Sequence, residues 1–151
     1  MVRRSTLVRL AGIVGGALLL IGCGPTNPSE DVQARDQLIA AVKSSEVGDE
    51  IDLTAVIDDQ WDRLVVLPPY ATNDDAADVL GFPFNVEESP TSVDDSGSVF
   101  VFAEGDAVAA WFTLYWRDVS FHGPRVIPAV DARVVVSLDS KGFYDIDLVG
   151  Q

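Results

Sequence analysis

The chain has 151 residues, with 10 basic and 24 acidic side chains, a formal net charge of −14, one cysteine and one histidine. Phosphate backbones repel so acidic a surface, which excludes nucleic acid as a partner. A single cysteine excludes an internal disulfide, so stability must come from a packed core, for which 48% apolar residues suffice.

Arg3, Arg4 and Arg9 precede an uncharged apolar run over residues 10–21, which closes on Leu20-Ile21-Gly22-Cys23. The run is shorter than the roughly 20 apolar residues that span a bilayer, and its basic flank and small-residue end are those of a signal peptide. The segment resembles the lipobox of bacterial lipoproteins. That resemblance implies cleavage between Gly22 and Cys23, and diacylglycerol on the Cys23 sulfur. It also implies a lipid-anchored protein at the extracytoplasmic face of the cell membrane. Arg3-Arg4 with Leu7 leaves general and twin-arginine export both open. Loss of residues 1–22 removes three arginines and no acid, taking the formal charge to −17. Residues 23–30, rich in glycine, proline and asparagine, read as the tether, and residues 31–151 as one domain.

Val32, Leu38, Ile39 and Val42 recur at helical spacing over residues 31–44, behind Ser29 as a possible cap. Residues 47–60 are acidic, and Ile51, Leu53, Val56 and Ile57 predict a short strand or helical turn there. The β-branched run over residues 63–67, ended by Pro68-Pro69, predicts a buried strand. A second helix follows, with Thr72 or Asn73 as N-cap, Asp74 and Asp75 in its first turn, and Gly81 at its C-cap. Residues 82–98 predict a long surface loop.

The C-terminal half predicts two hairpins. Residues 99–103 and 107–116 join across Glu104-Gly105-Asp106, with Phe100, Phe102, Trp111 and Tyr115 on one face and Val101, Val108, Phe112, Leu114 and Trp116 on the other. Residues 132–139 and 143–149 flank Ser140-Lys141-Gly142. A three-residue loop there sets Leu138, Val136 and Val134 opposite Tyr144, Ile146 and Leu148, giving one apolar and one polar face. The predicted fold is α+β, two short helices packed on an antiparallel sheet that ends in a four-stranded meander. A helix pair followed by a sheet in a lipid-anchored domain is loosely similar to the outer-membrane assembly lipoprotein and β-lactamase-inhibitor folds. Residues 61–72, Trp61-Asp62-Arg63-Leu64-Val65-Val66-Leu67-Pro68-Pro69-Tyr70-Ala71-Thr72, together with Leu80-Gly81, resemble a segment of small, uncharacterised bacterial envelope lipoproteins. That group implies a location and no mechanism.

Catalytic chemistry has few residues to draw on. His122 lies in Phe121-His122-Gly123-Pro124, no nucleophile-elbow pattern presents a serine, and metal-ligand histidine or EF-hand spacing is absent, so no catalytic residue, metal site or cofactor is expected. Arg117, His122, Arg125 and Arg133 offer an anion pocket, unless Arg133 pairs across its hairpin with Asp147. Trp61, Tyr70, Trp111, Tyr115 and Trp116 are the candidate binding residues, since exposed aromatics carry much of the energy at protein contacts. The expected function is a non-enzymatic envelope lipoprotein that binds a protein or cell-wall partner through a sheet face. The alternative is a small-ligand or calcium-binding lipoprotein beside a transporter or sensor.

Overall fold

The structure, a computed structural model, describes residues 27–149; the expected signal peptide and Cys23 lie outside them. The fold is α+β. In chain order it runs α1 (Val32–Ser44), β1 (Glu50–Asp52), α2 (Leu53–Val56), β2 (Arg63–Leu67), α3 (Asn73–Leu80), β3 (Gly97–Glu104), β4 (Ala107–Tyr115), β5 (Ser120–His122), β6 (Val126–Pro128), β7 (Arg133–Leu138) and β8 (Tyr144–Leu148). Among the described residues no helix is long and apolar enough to cross a membrane.

The strands form two four-stranded sheets rather than one sheet ending in a meander. A central sheet has the order β4-β3-β2-β6 and an outer sheet the order β1-β7-β8-β5. The two hairpins therefore belong to different sheets, and the short strands β5 and β6 carry the chain across, each to the edge of one sheet. β5 runs parallel to β8, a pairing that only the long connection through β6 and β7 permits.

The central sheet is buried on both faces, which explains why Leu64, Val65, Val66 and Leu67 read as an unbroken apolar run. Toward the outer sheet, Leu64, Phe100, Phe102 and Phe112 meet Val134, Val136, Ile146 and Leu148, with Leu38 and Val42 of α1 completing that core. The opposite face carries Val65, Leu67, Val99, Val101 and Trp111 against Ala76 and Leu80 of α3 and against Phe84 and Val86. Residues 82–98, expected as a surface loop, instead cover this face through two short 3-10 turns, Val86–Glu88 and Pro90–Ser92. Their buried hydroxyls satisfy one another: Ser89 Oγ lies 2.9 Å from both Thr91 Oγ1 and Thr113 Oγ1.

The β7–β8 register is as expected, with Val134 opposite Leu148, Val136 opposite Ile146 and Leu138 opposite Tyr144. Gly142 takes φ +85° and the Asp139 N–H donates to the Phe143 carbonyl (2.8 Å). The β3–β4 hairpin differs. Its loop is two residues, since Glu104 pairs with Ala107, and the ladder then steps from Ala103–Val108 to Phe102–Ala110, leaving Ala109 as a bulge. That extra residue reverses parity along β4. Phe100 faces Phe112 and Val101 faces Trp111, so Trp111 shares a face with the valines and not with Phe100 and Phe102.

Helix ends follow local chemistry. α3 has the expected caps: Thr72 and Asp75 form a reciprocal capping box and Gly81 is left-handed at φ +84°. For α1 the cap is Asp31 and not Ser29, its carboxylate accepting from the Ala34 N–H (2.9 Å). Residues 27–30, expected as tether, are fixed to the free edge of β4. The Asp31 N–H donates to the Trp111 carbonyl (2.8 Å), the Thr113 N–H to Glu30 Oε1 (2.9 Å), and the Trp111 indole N–H to the Pro28 carbonyl (2.7 Å). An edge that would otherwise expose unpaired backbone is thereby covered.

Candidate functional site

Three described aromatic side chains are strongly exposed: Tyr70 at 59%, Phe143 at 52% and Trp116 at 41%. They line neighbouring depressions that share walls and are together termed the trough: Tyr70 lines one, Trp116 two, and Phe143 one of those two. One depression, about 450 Å³, is walled by Pro68, Pro69, Trp116, Phe121 and His122. A second depression of about 420 Å³ continues from Trp116 and Ser120 to Arg117, Lys141 and Phe143. On the other side Pro68, Pro69 and Phe121 lead to Arg125 and Tyr70. The trough therefore follows the seam where β5, at the edge of the outer sheet, passes the end of β2.

Local structure sets each wall. Pro68-Pro69 ends β2, and Tyr70 follows at φ +60°, a left-handed conformation that a bulky side chain adopts at a cost of about 1–2 kcal/mol. A donated hydrogen bond from the Tyr70 N–H to the Thr91 carbonyl (2.9 Å) holds it there. Strain retained at an exposed aromatic in a groove marks a positioned side chain. Trp116 is fixed behind by its N–H, which donates to the Ser96 carbonyl (2.9 Å). The Arg117 guanidinium lies 5.0 Å from the Tyr115 ring centroid, so Tyr115 is half-buried beneath it.

The trough also gathers positive charge. Arg117, Arg125 and Lys141 are three of the seven Lys and Arg residues beyond residue 22, and His122, 62% exposed, lies among them. The carboxylates in its lining are engaged in their own turns. Asp139 accepts from the Lys141 N–H (2.7 Å) and the Phe143 N–H (2.9 Å), and Asp75 accepts from Thr72. These hydrogen bonds hold both carboxyls below the usual carboxylate range. His122 Nε2 stands 3.7 Å from Asp145 Oδ1, beyond hydrogen-bond distance, and among the described residues no hydrogen bond joins Ser120 Oγ to the ring.

Of the five aromatics singled out from sequence, Tyr70 and Trp116 line the trough. Trp61 and Trp111 are core residues: Trp61 packs edge-on against Phe102 at 5.0 Å, and Trp111 against Phe84 at 5.6 Å. Arg133 pairs in register with Asp52 on β1 and lines a separate hollow with Val130 and Leu148, so it joins neither Asp147 nor the trough. Ser137 Oγ instead donates to Asp147 (3.2 Å). Lys141, Phe143, Phe121 and the two prolines were missed. The signal available for Phe143 was its place beside the Gly142 turn, where an aromatic has no core to enter.

The resemblance segment is largely structural. Arg63 donates to the carbonyls of Leu80 (2.9 Å) and Gly105 (2.8 Å) and to Asp62 Oδ1 (2.7 Å), while the Gly105 N–H donates to Asp62 Oδ2 (2.7 Å). It thus ties the β3–β4 turn to the end of α3. Its Pro68-Pro69-Tyr70 end alone reaches the trough. No family model matches the chain, and neither a curated protein nor a solved structure does.

Proposed function

We propose that this protein is a lipid-anchored, non-enzymatic lipoprotein of the bacterial envelope that holds a partner in the trough around Trp116. The anchor rests on the Leu20-Ile21-Gly22-Cys23 sequence and its basic, apolar approach. The binding role rests on one observation: every strongly exposed aromatic ring among the described residues lines one of the adjoining depressions around Pro68, Pro69 and Trp116. Exposed aromatics and arginines placed together are the residue types that dominate binding energies. The outward face of the outer sheet, by contrast, carries Glu50, Asp52, Asp145 and Asp147 beside Arg133 and Val135, which favours the trough over that sheet face as the contact surface.

The acidic clusters have local roles that leave the calcium alternative without a specific observation. Asp94 accepts from Ser96 (2.6 Å), and Asp62 and Asp75 serve the turn and cap described above. A photo-reactive residue at position 116, irradiated in the native envelope, tests the proposal. Capture of one partner, abolished by Cys23→Ala or by charge reversal at Arg117, is the expected result. Capture of none would overturn the binding role, and unchanged membrane fractionation of Cys23→Ala would overturn the anchor.

A further inference from the structure

We infer that the occupant of the trough is an acidic, extended polypeptide segment, which pairs by backbone hydrogen bonds with the free edge of β5. The inference rests on the trough being the partner site proposed above. β5 is the terminal strand of the outer sheet, paired with β8 on one side. Apart from that ladder, no backbone hydrogen bond among the described residues engages Ser120, Phe121 or His122. The same three residues form one wall of the trough. The free edge of β4 is managed differently, since residues 28–31 cover it. An uncovered strand edge inside an aromatic groove is the arrangement that recruits an added strand.

Charge selects among polypeptides. The domain is strongly acidic as a whole, yet Arg117, Arg125 and Lys141 stand around this edge. The facing acids are Asp75 and Asp139 in the lining, engaged by Thr72 and by the Lys141 and Phe143 amides, with Asp118 3.9 Å from Arg117 and Asp145 and Asp147 opposite β5. Asp75 and Asp139 stay ionised while accepting these bonds, so three cations against two carboxylates leave the lining slightly positive in a strongly acidic domain, and Arg117, Arg125 and Lys141 donate no side-chain hydrogen bond among the described residues. Basic segments are repelled by the rest of the surface. Ser98, Ser120 and the three cations would also serve ring hydroxyls, so an anionic glycan is the competing occupant that the test below separates from a strand.

Selection of displayed random peptides against the full-length protein in detergent micelles tests this. The expected winners alternate acidic with apolar residues, and their binding weakens about tenfold or more on Arg117→Glu with Lys141→Glu, at unchanged thermal midpoint. Backbone N-methylation of the same peptides should weaken them comparably, because strand addition needs their N–H groups. Winners without excess acid, winners indifferent to N-methylation, or no winners would overturn the inference. Polygalacturonate binding that Trp116→Ala abolishes, with no peptide selected, would assign the trough to an anionic glycan instead. Cross-linking at position 116 is read separately: a partner captured there with no acidic peptide selected removes this inference and leaves the binding role standing.

Discussion

Arginine performs opposite tasks at two places on this molecule. At the corner where the β3–β4 turn meets α3, the Arg63 fork reaches two carbonyls and a carboxylate, and its face lies 5.9 Å from the Phe82 ring centroid. Three of its five N–H donors are thereby committed. Across the sheet seam Arg117 and Arg125 donate no hydrogen bond within the described residues, and they flank rings left open to solvent. The difference teaches that residue type does not separate a structural cation from a binding one; prior engagement of its donors does. The same division holds for tryptophan, with Trp61 and Trp111 packed inside and Trp116 at the trough.

Breaking the closed corner from below should have the largest effect. Phe102 is fully buried and touches both Trp61 and Phe112, so Phe102→Ala is expected to cost about 3–5 kcal/mol in denaturant unfolding. Loss of its polar clamp is the next largest. Arg63→Met keeps the stem but removes three charge-assisted hydrogen bonds, and a loss of about 2–3 kcal/mol is expected for this partly exposed site. The corner should also respond to acid. The Gly105 N–H, and then Arg63, hold the Asp62 carboxyl below its ordinary value of 3.8. A depressed folded pKa contributes stability that is complete above the unfolded value and is lost as pH falls through the folded one. Thermal midpoints should therefore drop below about pH 4, with a smaller drop in Asp62→Asn. Relief of repulsion in so acidic a domain acts the other way over the same range. A midpoint that rises monotonically to pH 2 would show that repulsion outweighs the hydrogen-bonded carboxylates.

Tyr70 gives an intermediate effect, on the trough side. A β-branched residue in its left-handed conformation is strained further, so Tyr70→Val should destabilise by about 1–2 kcal/mol, whereas Tyr70→Gly relieves the strain and should leave unfolding nearly unchanged. Both should weaken partner capture. Equal stability of the two variants would mean that the left-handed turn is not maintained in solution.

The sequence made the closed parts of the molecule legible and the open part less so. α3 and the β7–β8 hairpin were readable because their determinants are local: Thr72, Asp75 and Gly81 cap one, while Gly142 and strict alternation set the other. The β3–β4 register was not, since a single bulge at Ala109 inverts every side chain beyond it and leaves no mark in composition. Assignment of the hairpins to two sheets was hidden for a related reason, because the three-residue strands β5 and β6 that separate them are too short to show periodicity. The trough inherits that blindness. Pro68, Trp116, Phe121 and Lys141 come together only through the β5 crossing, so adjacency in the chain could nominate Trp116 but not its neighbours.

The smallest expected effect on stability is the one that most sharply separates the two regions. Trp116 is partly exposed and its backbone, not its ring, makes the hydrogen bond to Ser96, so Trp116→Ala should change unfolding by no more than about 0.5 kcal/mol. Trp111→Phe retains the buried ring contact with Phe84 but loses the indole bond to Pro28, and should cost about 1 kcal/mol. Fluorescence distinguishes them independently of stability. The red-shifted, quencher-accessible part of the emission should vanish with Trp116→Ala and persist in Trp111→Phe, because only the first removes an indole that water reaches. Binding in the trough should then shift the wild-type emission to shorter wavelength and leave that of Trp116→Ala unmoved. A ligand that shifts both equally would be acting through Trp61 or Trp111, and the trough would lose its claim to be the binding surface.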